Sequence, residues 1–286
     1  MAAPPEIFDR TLYARRRMRA ATGFAAHDFL HRRVMEDIID RLESVNRYFP
    51  TAAFDGAGDL ISMLAPESSP DCGVGVAITF DLAPARLPAS GPRLAADAEA
   101  LPFQPQSLDL FVSMLTLHSA NDLVGALAQA RLALKPDGLF IAAVFGEETL
   151  KTLRASLYAA ETEITGGVSA RIAPFAGVKD YGAALPRAGF ALPVTDIDKV
   201  SVKYDQPLKL LQDLRGMGET RALKTKAAPL RREVLMRAMA LFAQAGGEER
   251  FEIVYLTGWA PHESQQKPLK PGSAQISLKD AIKGAS

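Results

Sequence analysis

Residues 93–150 read RLAADAEALPFQPQSLDLFVSMLTLHSANDLVGALAQARLALKPDGLFIAAVFGEETL. Within this stretch Leu108 to Leu117 is an apolar run entered through the turn-forming Gln104-Pro105-Gln106-Ser107, and it predicts a buried strand. Asn121 and Asp122 offer a helix N-cap ahead of Leu123, Ala126, Leu127, Ala130 and Leu134, which recur at helical spacing. Lys135-Pro136-Asp137-Gly138 is a stop signal, with Pro136 unable to continue the helix and Gly138 expected to take the unusual φ of the turn. Leu139 to Phe145 predicts a second buried strand, closed by Gly146. Strand, helix and strand joined by short turns imply a right-handed crossover and a parallel sheet. Ligands of such sheets bind beyond the carboxyl ends of the strands. The polar residues of interest therefore follow strands: Asp97 and Glu99, His118, and Glu147 and Glu148.

Outward from this unit, the whole chain has the size and balance of one large α/β domain or a core with a modest accessory unit. Its 286 residues are 48% hydrophobic and 23% charged, with basic and acidic side chains equal at 33 each. That balance gives no reason to expect a nucleic-acid partner. Cys72 is the only cysteine, which excludes an intramolecular disulfide framework and a cysteine-cluster metal site. No apolar run approaches the roughly 18 residues of a membrane-spanning helix. Pro4, Pro5, Asp9 and the following arginines interrupt any signal-peptide core, so an intracellular protein is expected.

Residues 6–47 read as helical, with Asp9 as a cap, and Arg15, Arg16, Arg17 and Arg19 form a basic face. That face is either solvated or in contact with an acidic partner or a ligand carboxylate. His27 and His31 stand four apart, the spacing of a metal pair, but with no third ligand they are expected to be exposed helix histidines and no metal site is assigned. Ala52 to Asp55 is the tail of a first strand, followed by Phe54-Asp55-Gly56-Ala57-Gly58-Asp59-Leu60. Val74 to Phe80 is a second strand ending at Asp81, at the distance where an acid receives ribose hydroxyls, with Leu82 as an adenine wall. A short strand over 93–96 delivers Asp97 and Glu99. Past Phe145, helices are expected over 147–163, 178–188, 207–217 and 229–245. Residues 190–203 and 251–259 are expected to form antiparallel strands.

The acid before Leu101-Pro102-Phe103, then Leu108-Asp-Leu-Phe-Val-Ser113, Leu117-His118, Asn121-Asp122 and Leu134-Lys-Pro-Asp-Gly138, resemble in order and spacing the class I S-adenosylmethionine-dependent methyltransferases. The resemblance implies an α/β fold with a doubly wound, mostly parallel seven-stranded sheet and an N-terminal helical lid. It divides the chain into a lid over 1–48, a methyltransferase-like domain over 49–261 and a mobile tail over 262–286. S-adenosylmethionine is the implied cofactor, contacted by Asp55, Gly56, Ala57, Gly58, Asp81, Leu82, Asp97, Ala98 and Met114. In that family the glycine turn reads Asp-x-Gly-x-Gly-x-Gly. Here Leu60 replaces the third glycine, and Phe54 stands at the usual acidic position with Asp55 displaced by one.

Further features narrow the resemblance: Ile7-Phe-Asp-Arg10, Thr149-Leu-x-x-Leu153, Ala160-Glu-Thr-Glu163, Pro174-Phe175, Asp213-Leu-x-Gly-Met-Gly218, Gly258-Trp259 and His262-Glu-Ser-Gln265. Together they are similar to the methyltransferase-fold assembly factors of respiratory complex I, which are implicated in arginine hydroxylation, and to the neighbouring malonyl-carrier-protein methyltransferases of biotin synthesis. A complex I subunit is then the implied partner. The compartment implied is the cytoplasm of a bacterium, where the protein is soluble or peripheral to the membrane, or the mitochondrial matrix of a eukaryote. Three readings follow: a methyltransferase with His118 as base, a hydroxylating or chaperoning assembly factor, and a non-catalytic binding protein that keeps the fold. At Ser119 the family usually carries an aromatic residue.

Overall fold

The computed structural model describes residues 6–64 and 73–266, so Cys72 and residues 267–286 of the expected tail lie outside the described residues. Its strands are β1 (Tyr48–Asp55), β2 (Gly73–Asp81), β3 (Arg93–Ala95), β4 (Leu108–Met114), β5 (Leu134–Phe145), β6 (Ala191–Lys203) and β7 (Glu248–Trp259). They form one seven-stranded sheet in the order β3-β2-β1-β4-β5-β7-β6. The first five strands pair in parallel, while β7 runs antiparallel to both β5 and β6. The order reverses between β1 and β4, and in such a sheet that switch point opens a crevice beyond the strand ends.

The helices are α1 (Arg10–Ala20), α2 (Phe29–Val45), α3 (Leu123–Ala133), α4 (Lys151–Thr165), α5 (Val178–Arg187), α6 (Pro207–Met217) and α7 (Arg232–Gln244). The central strands are apolar on both faces because both faces are covered. On one face Leu30, Val34 and Ile38 of α2, with apolar residues of α4, α6 and α7, pack on Val112, Ile141 and Ile253. On the other, Ala126 and Leu127 of α3 and Leu185 of α5 pack on Phe111, Phe140 and Leu256.

Two stop signals act differently from expectation. β4 ends at Met114, three residues early, because Leu115 turns into left-handed backbone (φ 50°) and Leu117–Ser119 coil into a 3₁₀ turn. In the Lys-Pro-Asp-Gly turn it is Asp137, not Gly138, that takes positive φ (63°). Arg47 holds it by donating to the Asp137 carbonyl and carboxylate, both at 2.9 Å. Gly138 is needed for a different reason, since a Cβ there would lie 2.9 Å from the Lys135 carbonyl oxygen. Asp9 and Asp122 do cap α1 and α3, accepting from the amides of Leu12 and Gly125.

Candidate functional site

The register places the expected residues in one row at the carboxyl ends of neighbouring strands. Asp55, last in β1, pairs with Ser113 of β4 on one side and Phe80 of β2 on the other, while Asp81 pairs with Ala95 of β3. The glycine turn follows directly. Gly56 has φ 75° and no room for a side chain, since a Cβ would meet the Met114 carbonyl oxygen at 2.6 Å. Gly58 (φ 54°) lies equally close to the Arg86 backbone, at 2.8 Å. Ala57 and Met114 are fully buried, Ala98 is buried, and Leu82 is half-buried beside Asp81.

Leu60 explains the altered turn. A third glycine would let a helix pack close to β1; Leu60 instead fills that space as part of the core. The segment Gly58–Met63 is accordingly a six-residue 3₁₀ helix. Phe54 points into the same core, and Asp55 is left as the acid at the strand end. The Asp55 carboxylate accepts from Ser113 Oγ at 3.0 Å and from Thr116 Oγ1.

Burial, with the Asp55–Thr116 bond pulling the other way and the Asp81 charge adding to it, pushes the Asp55 carboxyl from its ordinary 3.8 up to about 7. The folded chain therefore keeps a proton that the unfolded chain releases at lower pH. The stability this group contributes is complete below about pH 4 and is lost as the pH rises to about 7. Unfolding free energies of the wild type and Asp55→Asn should diverge across that window, with the wild type losing ground as the pH rises. A constant difference from pH 4 to 8 would contradict the assignment.

Asp81 does not face an open crevice. Arg17 of α1 donates to it through Nη2 at 2.7 Å and Nε at 3.2 Å, and both side chains are 1% exposed. The amide of Ala83 completes the carboxylate at 2.8 Å. Arg17 Nη1 reaches Tyr13 Oη at 3.3 Å and Glu219 Oε1 at 3.5 Å. Burial alone would lower the Arg17 pKa, but the charge and hydrogen bonds of Asp81, together with Tyr13 and Glu219, more than reverse this and hold the guanidinium charged. Arg10 does the same further along. It pairs with Asp97 and, at 3.1 Å, with Glu99, whose other oxygen accepts the amides of Asn121 and Asp122. Arginines of α1 thus meet the very acids expected to hold a nucleoside.

The Ile-Phe-Asp-Arg motif is the latch for that helix. Asn121 Oδ1 accepts the amides of Ile7 and Phe8 at 2.8 Å, and Asp9 donates its amide to Ala222. Arg10 Nη1 also donates to Ser119, to its hydroxyl and its carbonyl oxygen, both at 3.1 Å. The Asp213-Leu-x-Gly-Met-Gly218 motif secures the other end. Asp213 binds His27 Nδ1 at 2.7 Å, and a Cβ on Gly216 would overlap the His27 ring. Gly218 admits the Arg17 backbone.

His118 is buried at the same mouth, its Nε2 3.1 Å from Glu219 Oε2 and its ring between Phe145 and Phe175. Its Nδ1 has no partner. A cavity of about 300 Å³ opens there under α1, walled by Leu150, Leu153, Leu157 and Leu214 and edged by Arg16, Arg171 and Arg221.

Other expectations fail. His31 is fully buried rather than exposed, packed edge-on against Phe24. Glu148 pairs with Lys151 at the surface, and Glu147 lies against Gly177; neither lines the cavity. No cluster of three metal-capable side chains occurs among the described residues. Nothing in the sequence singles out Arg10, Thr116 or Glu219 as a site residue.

The sheet order, the glycine turn and the acids at successive strand ends define a class I methyltransferase fold. A methyltransferase-domain family model matches residues 71–142. The crystal structure of YcgJ from Bacillus subtilis shares the fold with a TM-score of 0.51 at 17% identity, over 80% of this chain and 98% of that one. A malonyl-[acyl-carrier protein] O-methyltransferase of Methylovorus is 27% identical over 91% of this chain and 92% of its own. The mitochondrial arginine-hydroxylase NDUFAF5 of Danio rerio is 38% identical over 97% of this chain and 90% of its own length. The chain belongs to the NDUFAF5 family.

Proposed function

We propose that the protein binds S-adenosylmethionine across the ends of β1, β2 and β4, and modifies a protein partner whose side chain enters the cavity beneath α1. The partner, on the family relationship, is a subunit of respiratory complex I. The observation that carries this reading is the row Asp55, Gly56, Gly58, Asp81 and Asp97 on adjacent strand ends. The residues suit the cofactor. Asp81 accepts a ribose diol, Asp97 accepts an adenine amine, and a cavity of about 390 Å³ beside Gly58 takes the methionine end. Arg17 and Arg10 must then give up their carboxylates, so cofactor entry is an exchange against α1.

Bound there, the cofactor supplies an already electrophilic methyl group. The protein's task is to align the acceptor and exclude water. His118 Nδ1, unpartnered and buried, is placed to take an acceptor proton while Glu219 stabilises the imidazolium formed.

A second reading is favoured by one contact. Asp81, Glu219 and Tyr13 together hold a guanidinium, that of Arg17, so this mouth suits a partner's arginine as well. Incubating the protein with purified complex I subunits and S-adenosylmethionine, and in a second arm with dioxygen and a two-electron reductant, then weighing the products, tests both. A gain of one methylene supports transfer and a gain of one oxygen supports hydroxylation. No mass change, with bound subunit, would leave an assembly role.

A further inference from the structure

Arg86 is a buried cation without a counter-ion. It is 5% exposed, and its Nε, Nη1 and Nη2 all lack a hydrogen-bond partner among the described residues. Its guanidinium lies over the Phe24 ring, which also receives the edge of His31. His31 is fully buried, and both of its ring nitrogens are unpartnered too. Burial, and then the nearby Arg17 charge, push Arg86 down to about 9. The two buried carboxylates in reach, Asp81 and Glu219, are both already engaged by Arg17. An isolated buried guanidinium costs several kcal/mol on general grounds, and such groups persist where something pairs with them.

The surroundings say what that something is. Arg86, Phe24, Gly58 and Asp59 line one cavity of about 390 Å³ beside the glycine turn, together with Asp28 and Arg32, which neutralise each other at 2.9 Å. In the class I fold the helix after that turn would face a ligand carboxylate with its N-terminus. Here that segment is only the six-residue 3₁₀ helix, and it carries Asp59 in its first turn. The positive field must come from elsewhere, and Arg86 is the unpaired cation that lines this cavity within electrostatic range of Asp81.

We propose that Arg86 is a carboxylate-binding subsite that replaces the missing helix terminus at the altered glycine turn. Resting on the cofactor reading above, the carboxylate is that of the cofactor's methionine end; the other source of the same chemistry is a free small carboxylate.

The test is equilibrium binding of S-adenosylhomocysteine and of its decarboxylated analogue to the wild type, Arg86→Met and Arg86→Lys. The wild type should prefer the carboxylated ligand by about 10- to 100-fold, the worth of a charge-assisted hydrogen bond. Arg86→Met should lose that preference, and Arg86→Lys should keep part of it. Arg86→Met should also melt no lower than the wild type when unliganded, because an unpaired buried charge has gone. An unchanged preference in both folded variants would overturn the proposal. If neither nucleoside binds the wild type, the cofactor reading fails, and acetate at constant ionic strength decides the subsite. A melting-temperature rise in the wild type that is absent in Arg86→Met supports it with a free carboxylate as ligand, and no rise in either overturns it.

Discussion

Asp81→Ala is expected to lower folding stability by about 3–5 kcal/mol, because it strands the Arg17 guanidinium, 1% exposed, without its main partner. For a chain of this size that is a fall in Tm on the order of 10 °C. The effect arises in the protein without ligand, so it reports a structural role of Asp81. Replacing both partners by apolar residues of similar volume, Asp81→Leu with Arg17→Met, should recover most of the loss, since a buried pair against well-packed hydrophobes is roughly neutral. Chemical denaturation of the three proteins reads this directly. A loss below about 1 kcal/mol for Asp81→Ala would show that the pair is solvated in solution and α1 is not seated as described.

The second large effect concerns His118. If its Nδ1 takes the acceptor proton, His118→Asn should lower turnover by roughly 10²-fold or more, the usual range for a lost general base, while cofactor affinity stays unchanged. Glu219→Gln should lower turnover less, because it leaves the imidazole in place and removes only the carboxylate 3.1 Å from Nε2. Equal affinity with equal turnover in His118→Asn would place the histidine among structural residues, packed between Phe145 and Phe175.

The architecture was legible because its signals are local. Apolar runs bounded by turn residues mark the central strands β4 and β5, and Asp9 and Asp122 announce their helices. The acids Asp81 and Asp97 were legible because the fold places ligands at strand ends. What they bind in the protein as it stands was not. Arg17 lies 64 residues from Asp81, and Glu219 lies 101 from His118, and no periodicity connects such pairs. The arginine run of α1 allowed contact with an acid as one of two readings. The structure splits the run: Arg17 is buried against Asp81, while Arg15 and Arg19 stay exposed. Leu60 stands where the family has its third glycine, and the outcome is a change of helix type and a leucine in the core. His31 shares the face of Val34, Met35 and Ile38 that α2 turns to the sheet, and only its polar side chain argues for exposure.

Central to the proposed function is a nucleoside site formed by the strand-end acids and covered by arginines of α1. Calorimetric titration of the wild type and Asp81→Asn with S-adenosylhomocysteine tests it most directly, because asparagine keeps the volume of Asp81 and some of its hydrogen bonds. Micromolar binding to the wild type, weakened about 10- to 100-fold by the substitution, is the predicted result. Equal affinity in the two proteins, or no binding to folded wild type at millimolar ligand, would contradict it.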